Sequence, residues 1–281
     1  KESRGFTKIS LGLGEYGIQP AQAVKIYKLY GDKSLEVVTE NPYTLVEDIY
    51  GISFNKADEI ADRIGIEAES EFRIQSGIKY ALSVFSNSGS TYVPKDILLE
   101  SAIKLLDISS ELIEENLTTL AFAGEIELDS LDGVPVVYQH FFYQAEQSVT
   151  YHIKRIMNGY MPPLAADPDN LINAAEADER IQISGNQRKA IRAALTNKIT
   201  IITGGPGTGK TTIINLIVKI FKQMGISVAL AAPTGRAAKR ITETSGVEAM
   251  TIHRLLEYVY SEDENEMEFG RNADNPLEED S

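Results

Sequence analysis

Residues 199–212 read Ile199-Thr200-Ile201-Ile202-Thr203-Gly204-Gly205-Pro206-Gly207-Thr208-Gly209-Lys210-Thr211-Thr212. The first five are a β-branched run with the length of a buried parallel strand. After the loop, Ile213, Ile214, Leu216, Ile217, Ile220 and Phe221 follow helical spacing. Between strand and helix stands a complete GxxxxGK[ST] loop, in the context that gives such a motif its meaning. Glycines let the backbone of Gly204, Gly205, Pro206, Gly207, Thr208 and Gly209 wrap closely, so that successive N–H groups point at a β-phosphate. The helix N-terminus adds positive potential. Lys210 is expected to reach the β- and γ-phosphates, and the Thr211 hydroxyl to take a place on Mg²⁺, with Thr212 beside it. ATP and Mg²⁺ are therefore the expected cofactors.

Downstream, Ile226 to Ala232 reads as the next strand, and its end meets Pro233-Thr234-Gly235-Arg236-Ala237-Ala238-Lys239-Arg240. In a parallel α/β sheet, ligands bind at the carboxyl ends of strands. A helix starting at Gly235 would offer N–H groups there, flanked by Arg236, Lys239 and Arg240. An ordinary basic helix surface is the alternative.

The net charge of −14 argues against nucleic-acid binding only if it is taken as one number. Residues 181–260 hold 11 Lys/Arg and 3 Asp/Glu, a net of +8. Residues 261–281 hold 1 Arg and 9 Asp/Glu, and the first 180 residues carry the remaining 15 basic and 29 acidic side chains. The basic block coincides with the loop, and local sign decides whether a surface meets phosphates.

With 281 residues, about two domains are expected. The absence of cysteine excludes disulfides, thiol nucleophiles and cysteine-ligated metal sites, and fits a reducing compartment. His140, His152 and His253 lie too far apart for a local metal motif. No apolar run approaches the ~18–20 residues of a membrane span, and Lys-Glu-Ser-Arg-Gly at the start is no signal peptide. A cytoplasmic, bacterial location without membrane contact is expected.

Residues 1–66 read as short helices joined by tight turns. Ala21–Tyr30 carries a helical stripe, Asn41-Pro42 opens a helix to about Ile49, and Lys56–Ile64 ends on Gly65. Helix, glycine turn, helix occurs twice, centred on Tyr16-Gly17-Ile18-Gln19 and Tyr50-Gly51-Ile52-Ser53. This resembles a tandem helix-hairpin-helix unit, which meets nucleic-acid phosphates through backbone N–H groups. Gln19 and Ser53 stand where such hairpins have a second glycine. A side chain there is expected to oppose a left-handed backbone. A purely structural adaptor is the competing reading.

In residues 72–158, helices are expected at Ile74–Phe85, Lys95–Leu106 and Ser109–Phe122, with an extended piece at Thr91–Pro94. Glu125–Ser130 and Val134–Tyr138 form a hairpin about Asp132-Gly133. The order resembles a winged helix. Its candidate recognition helix carries Glu111, Glu114 and Glu115 and no basic residue, which favours a structural or protein-contact role over groove binding. Met161-Pro162-Pro163 and Asp167-Pro168-Asp169 read as linker.

Taken together, NPYTLVEDIYGISFNKADEIADRIGI, NQRKAI, GGPGTGKTT, APTGRAAKRI and TIHRLL resemble the RecD/TraA branch of superfamily 1 DNA helicases. More narrowly, they resemble the stand-alone bacterial RecD-like helicases with an N-terminal helix-hairpin-helix extension. The resemblance implies that Gln187 reads adenine, and that Pro233, Thr234, Gly235 and Arg236 hold a single-strand backbone. Thr251, Ile252 and His253 follow on the same DNA path, although His253 also reads as a structural histidine. It implies 5′ to 3′ movement on single strands and action at duplex junctions; protein partners stay open.

The expected architecture is a mainly α N-terminal region, with a tandem helix-hairpin-helix at 1–68 and a winged-helix-like unit at 69–160. A partial α/β P-loop RecA-like domain follows at 161–281. In the family a carboxylate strand follows a stretch like NPLEEDS, so the chain is expected to be a fragment ending before that strand. Glu279, Asp280 or a partner chain would have to supply the acid if the chain alone turned ATP over. A nucleotide-gated DNA clamp without unwinding, or a partner-docking module, is the alternative function.

Overall fold

A computed structural model describes residues 2–164, 166–261 and 266–277. The chain is mostly helical and divides into two compact units, residues 1–151 and 152–281.

The first unit opens with α1 (Glu2–Glu15) and α2 (Pro20–Tyr30), then a 3₁₀ turn, α3 (Ser34–Glu40), α4 (Thr44–Asp48) and α5 (Phe54–Ile64). The turns Tyr16–Gln19 and Tyr50–Ser53 join α1 to α2 and α4 to α5, as expected of paired hairpins. Gly17 and Gly51 adopt φ of 78° and 97°, which a side chain would strain. Gln19 and Ser53 behave otherwise than expected. Both are extended, with φ of −73° and −83°, and serve as N-caps of α2 and α5. Ser53 Oγ accepts from Lys56 N at 3.3 Å. No left-handed backbone is required at either position, so a side chain there is not opposed.

Leu13, Ile18, Ile26, Val38, Leu45, Ile49, Ile52 and Ile60 form the hairpin core. Helix α5 contributes Ile60 to that core. On the adjoining part of the same helix Phe54, Ala57 and Ala61 enter a second core, built on α6 (Glu71–Asn87), α7 (Lys95–Leu106) and α8 (Ser110–Phe122). There Ile74, Ile78, Leu82, Leu98, Leu106, Ile113, Leu117 and Leu120 pack over a small sheet. The sheet is antiparallel in the order β1 (Tyr92–Pro94), β3 (Val134–Gln139), β2 (Ile126–Leu131). Arg73 crosses between the cores: its Nε and Nη2 reach Asp58 at 2.8 and 3.1 Å, and its Nη1 reaches the Ala68 and Leu106 carbonyls. Helix α9 (His140–Asn158), absent from the sequence reading, follows β3 directly.

The second unit contains α10 (Pro168–Glu179), α11 (Gly185–Thr196) and α12 (Lys210–Gln223), packed through Ile172, Ala175, Ile191, Leu195, Ile213, Leu216 and Ile220. Asp167-Pro168 is therefore not linker. Asp167 Oδ1 caps the amides of Asp169 and Asn170 at 2.9 and 3.2 Å, and Pro168 occupies the first helical position. Then come β4 (Leu230–Ala232), α13 (Gly235–Ser245) and β5 (Ala249–Thr251), with β4 and β5 parallel.

Two expected strands fall short. Ile199–Thr203 makes no ladder, and Ile201 is 84% exposed. Of Ile226–Ala232 only the last three residues pair. A β-branched run becomes strand only where a neighbour takes up its N–H and C=O groups, and among the described strands none lies beside 199–203. The acidic stretch after Tyr258 is not featureless: following α14 (Ile252–Leu255), β6 (Tyr258–Ser261) and β7 (Glu266–Phe269) pair as an antiparallel hairpin. Glu279 and Asp280 lie outside the described residues.

Candidate phosphate loop and strand-end site

The loop is held from three sides. Gly209 is the N-cap of α12 in a left-handed conformation, φ 83°, and Gly207 has φ 76°. Thr208 Oγ1 donates to the Gly205 carbonyl at 2.9 Å, folding the loop on itself. Lys210 Nζ donates to the carbonyls of Gly204 and Gly205 at 2.5 and 2.6 Å. Its ammonium thus sits over the mouth of the loop rather than in solvent.

Gln187 provides the third support. Its Oε1 accepts from Ser184 N at 2.8 Å and its backbone N–H donates to Ser184 Oγ at 3.3 Å, a reciprocal capping box at the start of α11. Its Nε2 then donates to the Thr208 carbonyl at 3.1 Å. A Cβ on Gly209 would overlap that Nε2. One glutamine therefore ties the start of α11 to the loop, 21 residues along the chain.

The residues present fit a phosphate. Among the described residues, the amides of Gly205, Gly207, Thr208 and Gly209 donate to no protein acceptor. A Cβ on Gly205 or Gly207 would meet nothing within 4 Å, so the glycine faces are open. The first amides of α12 have no intrahelical acceptor by construction of a helix. Open donors, a helix N-terminus and one ammonium are thus gathered on the same loop. Thr211 and Thr212 stand exposed in the first turn of α12, their hydroxyls in reach of solvent.

The second set of expected residues gathers at the ends of β4 and β5. Ala232 pairs with Thr251, so Pro233 and Thr234 leave one strand beside the place where Ile252 leaves the other. Thr234 Oγ1 caps α13 by accepting from Ala237 N at 3.3 Å, and Thr251 Oγ1 caps α14 by accepting from Arg254 N at 3.1 Å. Two helix N-termini thus open on one sheet end, with Gly235 and Arg236 exposed beside them. His253 turns elsewhere. Its ring packs edge-on against Tyr258 at 5.2 Å and lies 6.1 Å from Phe269, whose ring meets Tyr258 at 4.7 Å.

The basic block is not presented evenly. Acidic α10 takes up part of it. Arg188 pairs with Glu176 and Arg192 with Asp169. Lys219 pairs with Asp178 and Glu179, whose carboxylates raise its pKa. Arg236 and Arg240 make no ion pair among the described residues, and both are exposed. Lys189, Lys222 and Arg254 are likewise exposed without an ion pair among the described residues, so the strand-end site holds part of the charge that remains open. The sequence reading missed this sorting because it depends on how α10 packs against α11 and α12; of the partners only Asp169 lies in a stretch read as linker.

Residues 2–92 match the family described as the ATP-dependent RecD2 DNA helicase HHH domain, and residues 187–281 match an AAA domain. A Deinococcus radiodurans protein named ATP-dependent RecD2 DNA helicase is 25% identical over 261 residues, covering 89% of this chain and 36% of that protein. The RecBCD enzyme subunit RecD of Mycolicibacterium smegmatis is 39% identical over 93 residues, 25% of this chain and 17% of that protein. An uncharacterized protein of Methanocaldococcus jannaschii is 24% identical over 265 residues, 79% of this chain and 22% of that one. The chain thus spans little more than a third of the length of its RecD2 relative. With a RecD2-type hairpin region at one end and an AAA-type domain carrying the phosphate loop at the other, the chain is similar to the RecD-like helicases that have an N-terminal helix-hairpin-helix region.

Proposed function

We propose that this chain binds ATP with Mg²⁺ on the Gly204–Thr212 loop and belongs to an ATP-driven DNA helicase or translocase. Its movement would run 5′ to 3′ on single strands and open duplex junctions in repair or recombination. The observation that carries the reading is the loop itself, with unpartnered amides, two left-handed glycines and Lys210 Nζ gathered at the N-terminus of α12. Lys210 would move from the Gly204 and Gly205 carbonyls onto the β- and γ-phosphates, exchanging neutral acceptors for charged ones. Gln187 would hold the loop and present its amide edge to the base. The Thr211 hydroxyl would join the shell of Mg²⁺, which when bound neutralises phosphate charge.

Pro233, Thr234, Gly235 and Arg236, with Thr251, would hold a single-strand backbone at the strand ends, where Arg236 and two helix N-termini supply positive potential. His253 fits an aromatic support for the β6–β7 hairpin better than a phosphate ligand. The domain limits 1–68, 69–160 and 161–281 complete the reading. The middle unit is winged-helix-like, supported by the order α6–β1–α7–α8–β2–β3 and by β3 pairing between β1 and β2. The last is a partial RecA-like domain, supported by β4–α13–β5 with its parallel pair. A cytoplasmic location belongs to the same proposal; among the described residues no helix is long and apolar enough to cross a membrane.

The test is a titration of the chain with Mg²⁺–ATP, followed by turnover with and without single-stranded DNA. Lys210→Ala should abolish nucleotide binding while leaving the fold intact by circular dichroism. Unchanged nucleotide affinity in that variant would refute the loop assignment.

A further inference from the structure

The two hairpin turns are near-identical in sequence yet differ in surroundings. The first is closed. The Arg63 guanidinium of α5 lies against Gly17, where an added Cβ would stand 2.7 Å from Nη1 and 2.8 Å from Cζ. Its tyrosine, Tyr16, is half-buried and packs on the hairpin core. The second is open. At Gly51 an added Cβ would meet only Lys25 Nζ, at 3.9 Å. Its tyrosine, Tyr50, is 95% exposed. Lys25 Nζ donates to the Tyr50 carbonyl at 2.9 Å and stands 6.0 Å from the Tyr50 ring centroid. Lys28, on the next exposed position of α2, lines the same depression together with Leu29, Asp48 and Ile49. Asp48 in the same depression accepts a hydrogen bond from Tyr30 Oη, and its single negative charge against the two lysines leaves the depression net positive.

Holding a tyrosine almost wholly in water runs against the burial of aromatic surface that stabilises folds. An exposed ring flanked by two ammonium groups is the arrangement that takes a base on the ring face and its phosphates on the lysines. We propose that the second hairpin alone engages DNA, as a single-strand platform. A base stacks on Tyr50, Lys25 and Lys28 meet the adjoining phosphates, and the first hairpin is a buttress closed by Arg63. The inference rests on the DNA-binding reading above and assigns it a second contact, on different residues from the strand-end site.

The test uses the whole chain and a (dT)₂₀ oligonucleotide with one 2-aminopurine, followed by anisotropy and by base fluorescence over a salt series. Tyr50→Ala should weaken binding at least about fivefold and remove the 2-aminopurine quenching, whereas Tyr50→Phe should keep both. Lys25→Ala with Lys28→Ala should lower the slope of log K against log salt by roughly 1.4, two single-strand phosphates' worth. Tyr50 is exposed, so thermal melts of these variants should match the parent. Repeating Tyr50→Ala in an Arg236→Ala background separates the two proposals. A loss there shows the platform acting whatever the strand-end site does. Unchanged affinity and quenching in Tyr50→Ala would overturn the platform even if Arg236→Ala weakens binding. Equal weakening for duplex and single strands with quenching retained would also overturn it, since that describes a backbone contact without stacking.

Discussion

Gly209 carries two constraints at once, and substituting alanine separates them. The first is conformational: φ of 83° places an alanine in the left-handed region, at about 1–2 kcal/mol. The second is local crowding. The new Cβ would displace the Gln187 amide, breaking its hydrogen bond to the Thr208 carbonyl, which contributes about 1 kcal/mol. Together Gly209→Ala should weaken the phosphate-binding form of the loop by about 2–3 kcal/mol, or roughly 30- to 150-fold in affinity for a fluorescent ATP analogue. Gln187→Ala alone should lose the same hydrogen bond and half of the capping box, about 1–2 kcal/mol in thermal denaturation and in the titration. Because both variants remove one shared contact, the double variant should cost about 1 kcal/mol less than the two singles combined. Effects that add to within ~0.5 kcal/mol would show that the Gln187 amide does not lie against Gly209, and the account of this loop would be wrong.

Other outcomes follow from the same structure. Asp58→Ala should destabilise the first unit by about 2–3 kcal/mol in denaturant unfolding, because it strands the mostly buried Arg73 guanidinium and removes the 2.6 Å acceptor of Tyr43 Oη. An effect below ~0.5 kcal/mol would mean that Arg73 is held by the Ala68 and Leu106 carbonyls alone. Burial together with the Asp48 hydrogen bond pushes Tyr30 up to about 12, and burial with the Glu146 charge does the same for Tyr138. Folding therefore favours their protonated forms. That stability is fully present below pH ~10, the unfolded value, and is lost as pH rises through about 12. Phenolate absorbance should show a late phase that coincides with loss of circular dichroism, and simple titration of all 13 tyrosines near pH 10 would contradict it. Arg236→Ala should weaken single-strand binding and flatten its salt dependence by roughly 0.7; an unchanged slope removes Arg236 from the DNA path.

The local signals were legible where neighbours in the chain decide the structure. Helix α7 runs from Lys95 to Leu106 as its apolar spacing requires, and α8 starts one residue after the expected Ser109, which serves as its N-cap. The hairpin about Asp132-Gly133 and the left-handed glycines of the loop are likewise set within a few residues. What escaped was decided at a distance. Ile199–Thr203 has every strand signal but no described partner. Asp167-Pro168 spells both turn and helix start, and only the burial of Ile172 and Ala175 resolves it. Helix α9 has no fully buried side chain to betray a core-facing stripe. At the site, the motif gave the loop and the strand ends. It gave neither the contact between Gln187 and Thr208 nor the α10 carboxylates that engage Arg188, Arg192 and Lys219, because both depend on packing between helices.

Helix α5 has one further consequence. Its eleven residues feed the hairpin core through Ile60 and the neighbouring core through Phe54, Ala57 and Ala61. A hairpin pair excised at residue 68 would carry Phe54, Ala57 and Ala61 naked into water, beside an Asp58 that has lost Arg73. The hairpins are thus not a detachable bead on a string. The open turn at Gly51 leads within three residues into the helix that both cores share, so a load on that turn acts on the sheet-bearing half as well as on the hairpins.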